Sequence, residues 1–220
     1  MNLGPLWLSV QLAAITMLLL LAISTPLGWW LARSRSRLRP VVQAVVALPI
    51  VLPPTVMGFY LLILLGPAGA IGEWWFTLTG SSLTFSFSGL VIASCVYSLP
   101  FAVQPIMSAF EAVQQRDLEA AWTLGANRRD AFFSIALPQS LRGYFNAAIL
   151  SFAHTLGEFG VVLMVGGSIP GETRVISIAI YDQVESLQYA AAHQLSAILL
   201  LFAFAVLLAM FAVNRRWRSQ

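Results

Sequence analysis

Residues 119–138 read EAAWTLGANRRDAFFSIALP, and this stretch decides the fold. It is a polar, helix-forming interruption with a glycine near its middle, and apolar runs long enough to cross a bilayer lie on both sides of it. A membrane protein that keeps a charged, glycine-hinged segment in one loop is expected to present that loop to a soluble partner.

The composition around this stretch is that of an integral membrane protein. Of the 220 residues, 59% are hydrophobic and 10% are charged, and the mean hydropathy is +0.81, whereas soluble domains carry about 25% charged residues. Five or six spans of about 20 residues use most of such a chain. We therefore expect one transmembrane domain over residues 1–220, with its function in the spans and their loops and with no nucleic-acid partner.

Two scarce residue types limit the chemistry of the chain. All twelve basic residues are arginine, and Cys95 is the single cysteine. Without lysine the chain has no P-loop lysine for nucleotide phosphates, and one cysteine supports neither a disulfide framework nor a thiolate metal cluster. We expect no catalytic residue, no metal site and no bound cofactor, so any ATP is bound by another chain.

Apolar runs predict an all-α membrane protein with five helical spans as the minimum and six as the upper count. Each run is long enough to cross about 30 Å of hydrocarbon at about 1.5 Å per residue. The predicted spans are residues 6–32, 41–65, 89–110, 145–166 and 195–213.

The arginines predict the orientation of these spans. Eleven of the twelve arginines follow span one, lie between spans three and four, or follow span five. With five spans, these three places share one side of the membrane. Only Arg174 falls on the other side. Because basic residues concentrate in cytoplasmic loops, we expect the N-terminus outside, the C-terminus in the cytoplasm, and residues 112–143 in a cytoplasmic loop. The eleven are Arg33, Arg35, Arg37, Arg39, Arg116, Arg128, Arg129, Arg142, Arg215, Arg216 and Arg218.

The cytoplasmic loop is expected to fold as two short helices joined by a turn. Helix-forming residues dominate positions 111–124, whereas Gly125 tolerates the left-handed conformation that ends a helix. Asp130 falls in the first turn of the second helix, and Pro138 ends or bends that helix. Either the loop is an ordinary solvated one, or its aromatic residues form an exposed docking surface: Trp122, Phe132 and Phe133.

The spacing within residues 119–138 resembles the signature loop of bacterial ABC-importer permeases. The pattern is Glu-Ala-Ala, three residues, Gly, nine residues, Ile, one residue, Leu-Pro. The resemblance implies a coupling helix that fits a cleft on a cytoplasmic ATPase subunit, with helix packing by Ala120 and Ala121, a turn at Gly125 and a helix stop at Pro138. The coupling residues it implies are Glu119, Ala120, Ala121, Gly125, Ile135, Leu137 and Pro138.

Three further stretches are similar to the molybdate permeases and their sulfate relatives. They read LPIVLPPTVMG at 48–58, LGEFG at 156–160 and IPGETR at 169–174. The likeness covers nearly the whole chain, and the compact length with the proline run favours molybdate, or tungstate, over sulfate. His154 departs from the pattern, because an arginine is expected at that position.

The same resemblance implies the partners and the location of the chain. A second copy would complete the pathway in a bacterial or archaeal cytoplasmic (inner) membrane. Two ATPase subunits would carry ATP and magnesium, and an extracytoplasmic oxyanion-binding protein would deliver the cargo. Candidates for docking that protein lie outside, after span four: Glu172, Thr173 and Arg174.

Prolines in span two and a charge in span four mark the candidate pathway residues. The prolines remove backbone donors, so span two is expected to be broken beside the pathway, or merely kinked. Glu158 lies inside span four, where a charge costs about 2.5–3.5 kcal/mol. His154 lies one helical turn earlier, so the pair would either hydrogen-bond or line a gate. The candidates are Pro49, Pro53, Pro54, Thr55, His154, Gly157, Glu158, Phe159 and Gly160.

Three other functions remain as alternatives. A sulfate or thiosulfate ABC permease would share the same motifs. A proton-coupled secondary transporter would use Glu158 and His154 as a relay, but such proteins commonly have internal repeats and more spans. An intramembrane enzyme is disfavoured because the sequence has no His-Glu-x-x-His, Gly-x-Ser-x-Gly or comparable motif.

Overall fold

The computed structural model describes residues 3–216, with side chains described up to residue 212, and all regular secondary structure in that range is helical. The side chains of Arg215, Arg216 and Arg218, which entered the orientation prediction, lie outside the described part. The elements are α1 Gly4–Arg33, α2 Arg39–Val51, α3 Pro54–Leu65, α4 Ala70–Thr79, α5 Phe87–Ala112, α6 Gln115–Thr123, α7 Arg128–Ala131, a π-helical turn Phe132–Ala136, α8 Leu137–Leu156, α9 Gly160–Gly166, α10 Ile176–Glu185 and α11 Tyr189–Arg216.

Three helices of the described range are long and apolar enough to cross a membrane without a break: α1, α5 and α11. Two bent pairs pass the same test together. The axes of α2 and α3 differ by 114°, and those of the helix Arg128–Leu156 and α9 differ by 61°. The predicted count of five spans therefore holds when each bent pair counts as one span, and the fifth begins at Tyr189 rather than at residue 195.

The predicted break in span two is confirmed, and its cause lies in the prolines. Because Pro53 and Pro54 have no backbone N–H, the carbonyls of Pro49 and Ile50 lose the partners that a regular helix would supply. The chain leaves the helix at Leu52, which has an extended backbone (ψ 138°), and a new helix begins with a proline in its first turn.

Span four differs from its prediction at both ends. A capping box between Asn127 and Asp130 starts the helix at Arg128, and the helix runs without interruption through the π-helical turn to Leu156. Its inner end therefore begins 17 residues before the predicted span, which started at residue 145. The outer part is a separate short helix, α9, because the chain breaks after Leu156.

Pro138 does not end the second cytoplasmic helix, so the helix stop that the resemblance implied is wrong. A proline ring clashes with the carbonyl four residues earlier in a regular helix. Here the turn just before Pro138 is π-helical, with the Leu137 N–H donating to the Phe132 carbonyl, and this wider turn accommodates the ring. The predicted loop 112–143 is consequently reduced to residues 113–127, and α6 is its one complete helix.

The centre of the molecule is the packing of α1, α5 and α8 on one another. Its core holds Leu20 from α1, Ile106 and Phe110 from α5, and Ala147 from α8, all fully buried. Close approach depends on small residues, since a Cβ at Gly143 would lie 2.3 Å from the Cβ of Ala109. The bent spans and the cytoplasmic loop are attached to this three-helix centre.

Candidate functional site

The breaks in the two bent spans lie against each other. One break follows Leu52 and the other follows Leu156. A Cβ at Gly160, just beyond the second break, would lie 2.8 Å from the Cβ of Pro54, just beyond the first, and Gly58 packs as tightly against α9. The structure thus brings the candidate pathway residues of both spans into one group.

Much of this group is exposed in a single copy of the chain. Pro53, Pro54 and Thr55 are exposed at the first break and Gly157 at the second, whereas Pro49 is buried. Hydrocarbon cannot satisfy non-helical backbone, which occurs at membrane depth only against protein or water. The exposed face of the two breaks therefore requires a protein or aqueous covering.

Glu158 is buried at the second break without a partner. The residue is 4% exposed, and neither carboxylate oxygen makes a hydrogen bond to any residue that the structure describes. Ser94 on α5 faces this carboxylate, but no hydrogen bond of normal geometry joins them. The main-chain carbonyl of Glu158, by contrast, accepts from the Ser177 hydroxyl at 2.6 Å, which ties the break to α10.

His154 does not pair with Glu158, so the hydrogen-bonded pair predicted as one alternative is absent. The helix ends at Leu156, so the two residues no longer share a helical face. His154 Nδ1 lies 2.8 Å from the Ser98 Oγ on α5, and its ring stacks on Phe101 with centroids 4.0 Å apart. These contacts hold His154 in the packing between α5 and α8.

The other two candidates at the second break differ in their contacts. Phe159 is half-buried, and its ring lies 5.0 Å from that of Tyr181, which joins the break to α10. A Cβ at Gly157 would meet nothing closer than 3.7 Å. Gly160, and not Gly157, therefore provides a close helix approach.

The predicted turn at Gly125 is confirmed. Gly125 has φ +89°, in the left-handed region, and the Ala126 N–H donates to the Ala121 carbonyl at 3.0 Å to close the end of α6. Ala121 is buried within the chain, whereas Ala120 is exposed. The turn projects from the molecule, because a Cβ at Gly125 would have no atom within 4 Å.

The remaining residues of the coupling motif divide between surface and core. Glu119 and Pro138 are exposed, whereas Ile135 and Leu137 are half-buried. Ile135 packs against the central core, so it holds the start of the long helix to the bundle.

Large apolar side chains are exposed around this turn. Trp122, Leu124 and Phe133 are 42%, 89% and 63% exposed. Phe132, which was expected to be exposed too, instead packs edge-on against Trp29 and also contacts Phe110. Leu124 was missed, although a leucine directly before the turn glycine is a recognisable signal. We call Trp122, Leu124 and Phe133 the coupling surface.

Arg33 anchors residues 113–127, which we call the coupling segment, to α1, a role that sequence reasoning did not assign. Its Nη2 donates to the carbonyls of Phe110 and Val113 at 3.0 and 2.8 Å, and its Nη1 donates to Gln115 Oε1 at 3.3 Å. The two hydrogen bonds from Nη2 satisfy carbonyls at the end of α5. The hydrogen bond from Nη1 reaches Gln115 at the start of α6. Nearby, Arg39 forms an ion pair with Glu111.

On the opposite side, two of the three predicted docking residues remain available. Glu172 is exposed, and Arg174 is half-buried and paired with Asp182 at 3.2 Å. Thr173 is fully buried, because its hydroxyl donates to the Gly166 carbonyl at 2.7 Å and accepts from the Ile169 N–H. Its side chain shapes the loop and is not available for docking.

Within the described residues, no three His, Cys, Asp or Glu side chains are grouped as metal ligands would be.

Comparison with known sequences shows a family match over most of the chain. Residues 24–219 match the model of the family described as "Binding-protein-dependent transport system inner membrane component". The chain is 52% identical over 218 residues to the molybdenum transport system permease protein ModB of Azotobacter vinelandii, covering 99% of this chain and 96% of that protein. It is 39% identical over 186 residues to the protein of the same name from Escherichia coli strain K12, covering 83% and 81%.

Comparison with solved structures shows the same architecture. A bacterial ABC transporter involved in the import of the acidic polysaccharide alginate matches with a TM-score of 0.78 at 18% identity, over 97% of this chain and 79% of that chain. A bacterial alginate ABC transporter in complex with an alginate pentasaccharide-bound periplasmic protein matches with a TM-score of 0.77, also at 18% identity, over 97% and 78%. At this identity the likeness concerns the fold alone.

Proposed function

The chain belongs to the family of inner membrane components of binding-protein-dependent transport systems, and from that premise we propose that it is the permease subunit of an ATP-driven importer of molybdate or tungstate. Family membership makes it an inner-membrane transport subunit and not an enzyme. The 52% identity to a molybdenum permease over 99% of the chain supports molybdate as the cargo.

The observation that carries the proposed mechanism is the pair of adjoining, exposed breaks. Pro54 and Gly160 hold the breaks together, while Pro53, Thr55 and Gly157 face outward. Because lipid cannot satisfy this backbone, a second copy of the chain and the water between the copies would cover it. The translocation pathway would then run along the interface of a homodimer.

The chemistry of the breaks favours weak passage over tight binding of an oxyanion. Glu158 is acidic and would repel an anion, and no arginine lies between Arg39 and Arg116 or between Arg142 and Arg174. Selectivity would therefore come from a separate extracytoplasmic binding protein, for which Glu172 and Arg174 are the docking candidates. This arrangement has the N-terminus outside and the arginine-rich loops in the cytoplasm.

The coupling surface is the element proposed to receive force from the ATPase. It is exposed and apolar beside charged residues, as docking sites are. Arg33 and Gln115 link it to α1, and the helix that begins at Arg128 continues directly to the second break. Two ATPase subunits carrying ATP and magnesium would move these segments together, and alternating access would follow.

The test is uptake by the reconstituted complex. We expect proteoliposomes containing this chain, its ATPase and its binding protein to accumulate labelled molybdate only when ATP and the binding protein are both present. Unlabelled tungstate should compete, and sulfate should not. Competition by sulfate at similar concentrations would change the cargo assignment, and uptake driven by a proton gradient without the ATPase would overturn the proposal.

A further inference from the structure

Two cavities adjoin at the arginine-rich end of α1. The larger, of about 700 Å³, lies between the end of α1 and the coupling segment, and four arginines contribute to its lining: Arg33, Arg35, Arg39 and Arg128. The smaller, of about 350 Å³, runs beside α1 at Thr25 and Pro26 and reaches Phe133. Three residues line both cavities, so the two lie side by side: Trp29, Arg128 and Phe132.

The charge in the larger cavity is mostly uncompensated. Arg39 is paired with Glu111, but Arg33, Arg35 and Arg128 make no ion pair with any residue that the structure describes. Glu119 is the one acidic side chain in the lining. An anionic group that enters this cavity would meet several guanidinium groups, which bind phosphate in a fork geometry.

The smaller cavity lies deeper along the same helix and has a different chemistry. Pro26 precedes Arg33 by seven residues, which is about 10 Å along a helix. The headgroup region of each leaflet is about 5–8 Å thick, so Pro26 lies at the depth of the hydrocarbon when Arg33 lies among the headgroups. The wall at that depth is formed by Pro26, Trp29 and the two phenylalanines of the π-helical turn. This apolar part of the wall suits an acyl chain, and Thr25, Arg128 and Arg129 complete the lining.

From this arrangement we propose that the adjoining cavities bind an anionic phospholipid of the cytoplasmic leaflet. The phosphate would bind Arg35 and Arg128 beside Arg33, whose Nη atoms already donate to Phe110, Val113 and Gln115, and one acyl chain would lie along α1 between Pro26 and Phe133. Basic pockets between membrane helices on the cytoplasmic side are suited to anionic headgroups, which are abundant there. The placement rests on the orientation given under the proposed function, whereas the binding itself does not depend on the cargo.

The position of this site connects the lipid to the coupling segment. Leu118, Glu119 and Trp122 of α6 line the same cavity as the end of α1. A bound lipid would therefore bridge α1, α6 and the helix that begins at Arg128. We expect its occupancy to hold the coupling segment in place and to raise the rate of ATP-dependent uptake.

Lipid retention by the intact permease complex provides the test. The complex is purified in detergent with equal amounts of phosphatidylglycerol and phosphatidylcholine, and the retained lipid is measured by native mass spectrometry. We expect wild type to retain phosphatidylglycerol and the double variant Arg35→Gln/Arg128→Gln to lose that preference by on the order of tenfold. The matched control is Arg37→Gln/Arg142→Gln, which removes two exposed arginines that do not line either cavity and should retain the lipid.

Thermal unfolding and the control variant distinguish a lipid site from a site for soluble phosphate and from general charge attraction. Thermal unfolding is measured with phosphatidylglycerol, with water-soluble glycerophosphoglycerol and with inorganic phosphate, and only the full lipid is expected to stabilise the complex. Equal stabilisation by inorganic phosphate would overturn the lipid assignment in favour of a phosphate site. Equal lipid loss in the control variant would show general charge attraction, and it would overturn the site itself. Molybdate uptake that fails while lipid retention persists would contradict only the proposed function.

Discussion

Among single residues, Glu158 combines complete burial with two unpartnered carboxylate oxygens. Burying such a group without hydrogen bonds lowers stability. A buried charged side chain that has no hydrogen-bond partner to offset its cost in stability is expected at a functional site. We therefore expect Glu158→Gln to unfold at the same or a higher temperature than wild type and to import several-fold more slowly. Thermal unfolding of the solubilised complex and initial uptake rates check both expectations.

The matched control for this substitution is Glu172→Gln, which removes an exposed carboxylate. It should leave the unfolding temperature unchanged. If Glu158→Gln lowered the unfolding temperature, the carboxylate would have a stabilising role that its surroundings do not show. Unchanged import together with unchanged stability would remove Glu158 from the pathway candidates.

At the scale of elements, the turn between α6 and the long helix determines the position of the coupling surface. Gly125 has φ +89°, where a β-branched residue is strained by roughly 1–2 kcal/mol. We expect Gly125→Val to displace Trp122 and Leu124 and to uncouple ATP hydrolysis from import, while membrane insertion remains normal. The ratio of ATP hydrolysed to molybdate imported measures the effect.

Two controls separate this effect from general strain. Gly125→Asn should keep near-normal coupling, because asparagine tolerates the left-handed region. Gly80→Val introduces comparable strain at φ +69° at the end of α4, far from the coupling surface along the chain and outside the loop of the docking candidates. Normal ATP-dependent uptake by Gly125→Val in proteoliposomes would contradict the proposed coupling role.

The elements also show how far sequence reasoning reached. The broken span two was predictable, because adjacent prolines remove two donors from one helix. The break after Leu156 was not, since residues 145–166 contain no proline. That break depends on contacts from other elements, namely Pro54 against Gly160 and Ser177 on the Glu158 carbonyl.

At the scale of the whole molecule, the two breaks should face water in the proposed dimer. Cys95 is the single cysteine, so Cys95→Ala provides a background for labelling. We expect Thr55→Cys to react with a membrane-impermeant maleimide in the complex, at a rate that changes when ATP binds. Leu201→Cys on α11, 66% exposed, should stay unreactive because hydrocarbon covers it. Equal protection of both positions would contradict an aqueous pathway at the breaks.

The sequence by itself determined the membrane class, the approximate spans, the turn at Gly125, and the break in span two. Each of these follows from local chemistry: hydrophobic length, glycine and proline geometry, and short-range spacing. Only the tertiary structure decided that Pro138 continues a helix, that Phe132 is packed inside, that His154 bonds Ser98, and that Thr173 is buried. The continuation at Pro138 depends on the backbone geometry of the whole helix. The other three depend on packing against residues distant in sequence, because that packing decides which polar or aromatic side chain is buried.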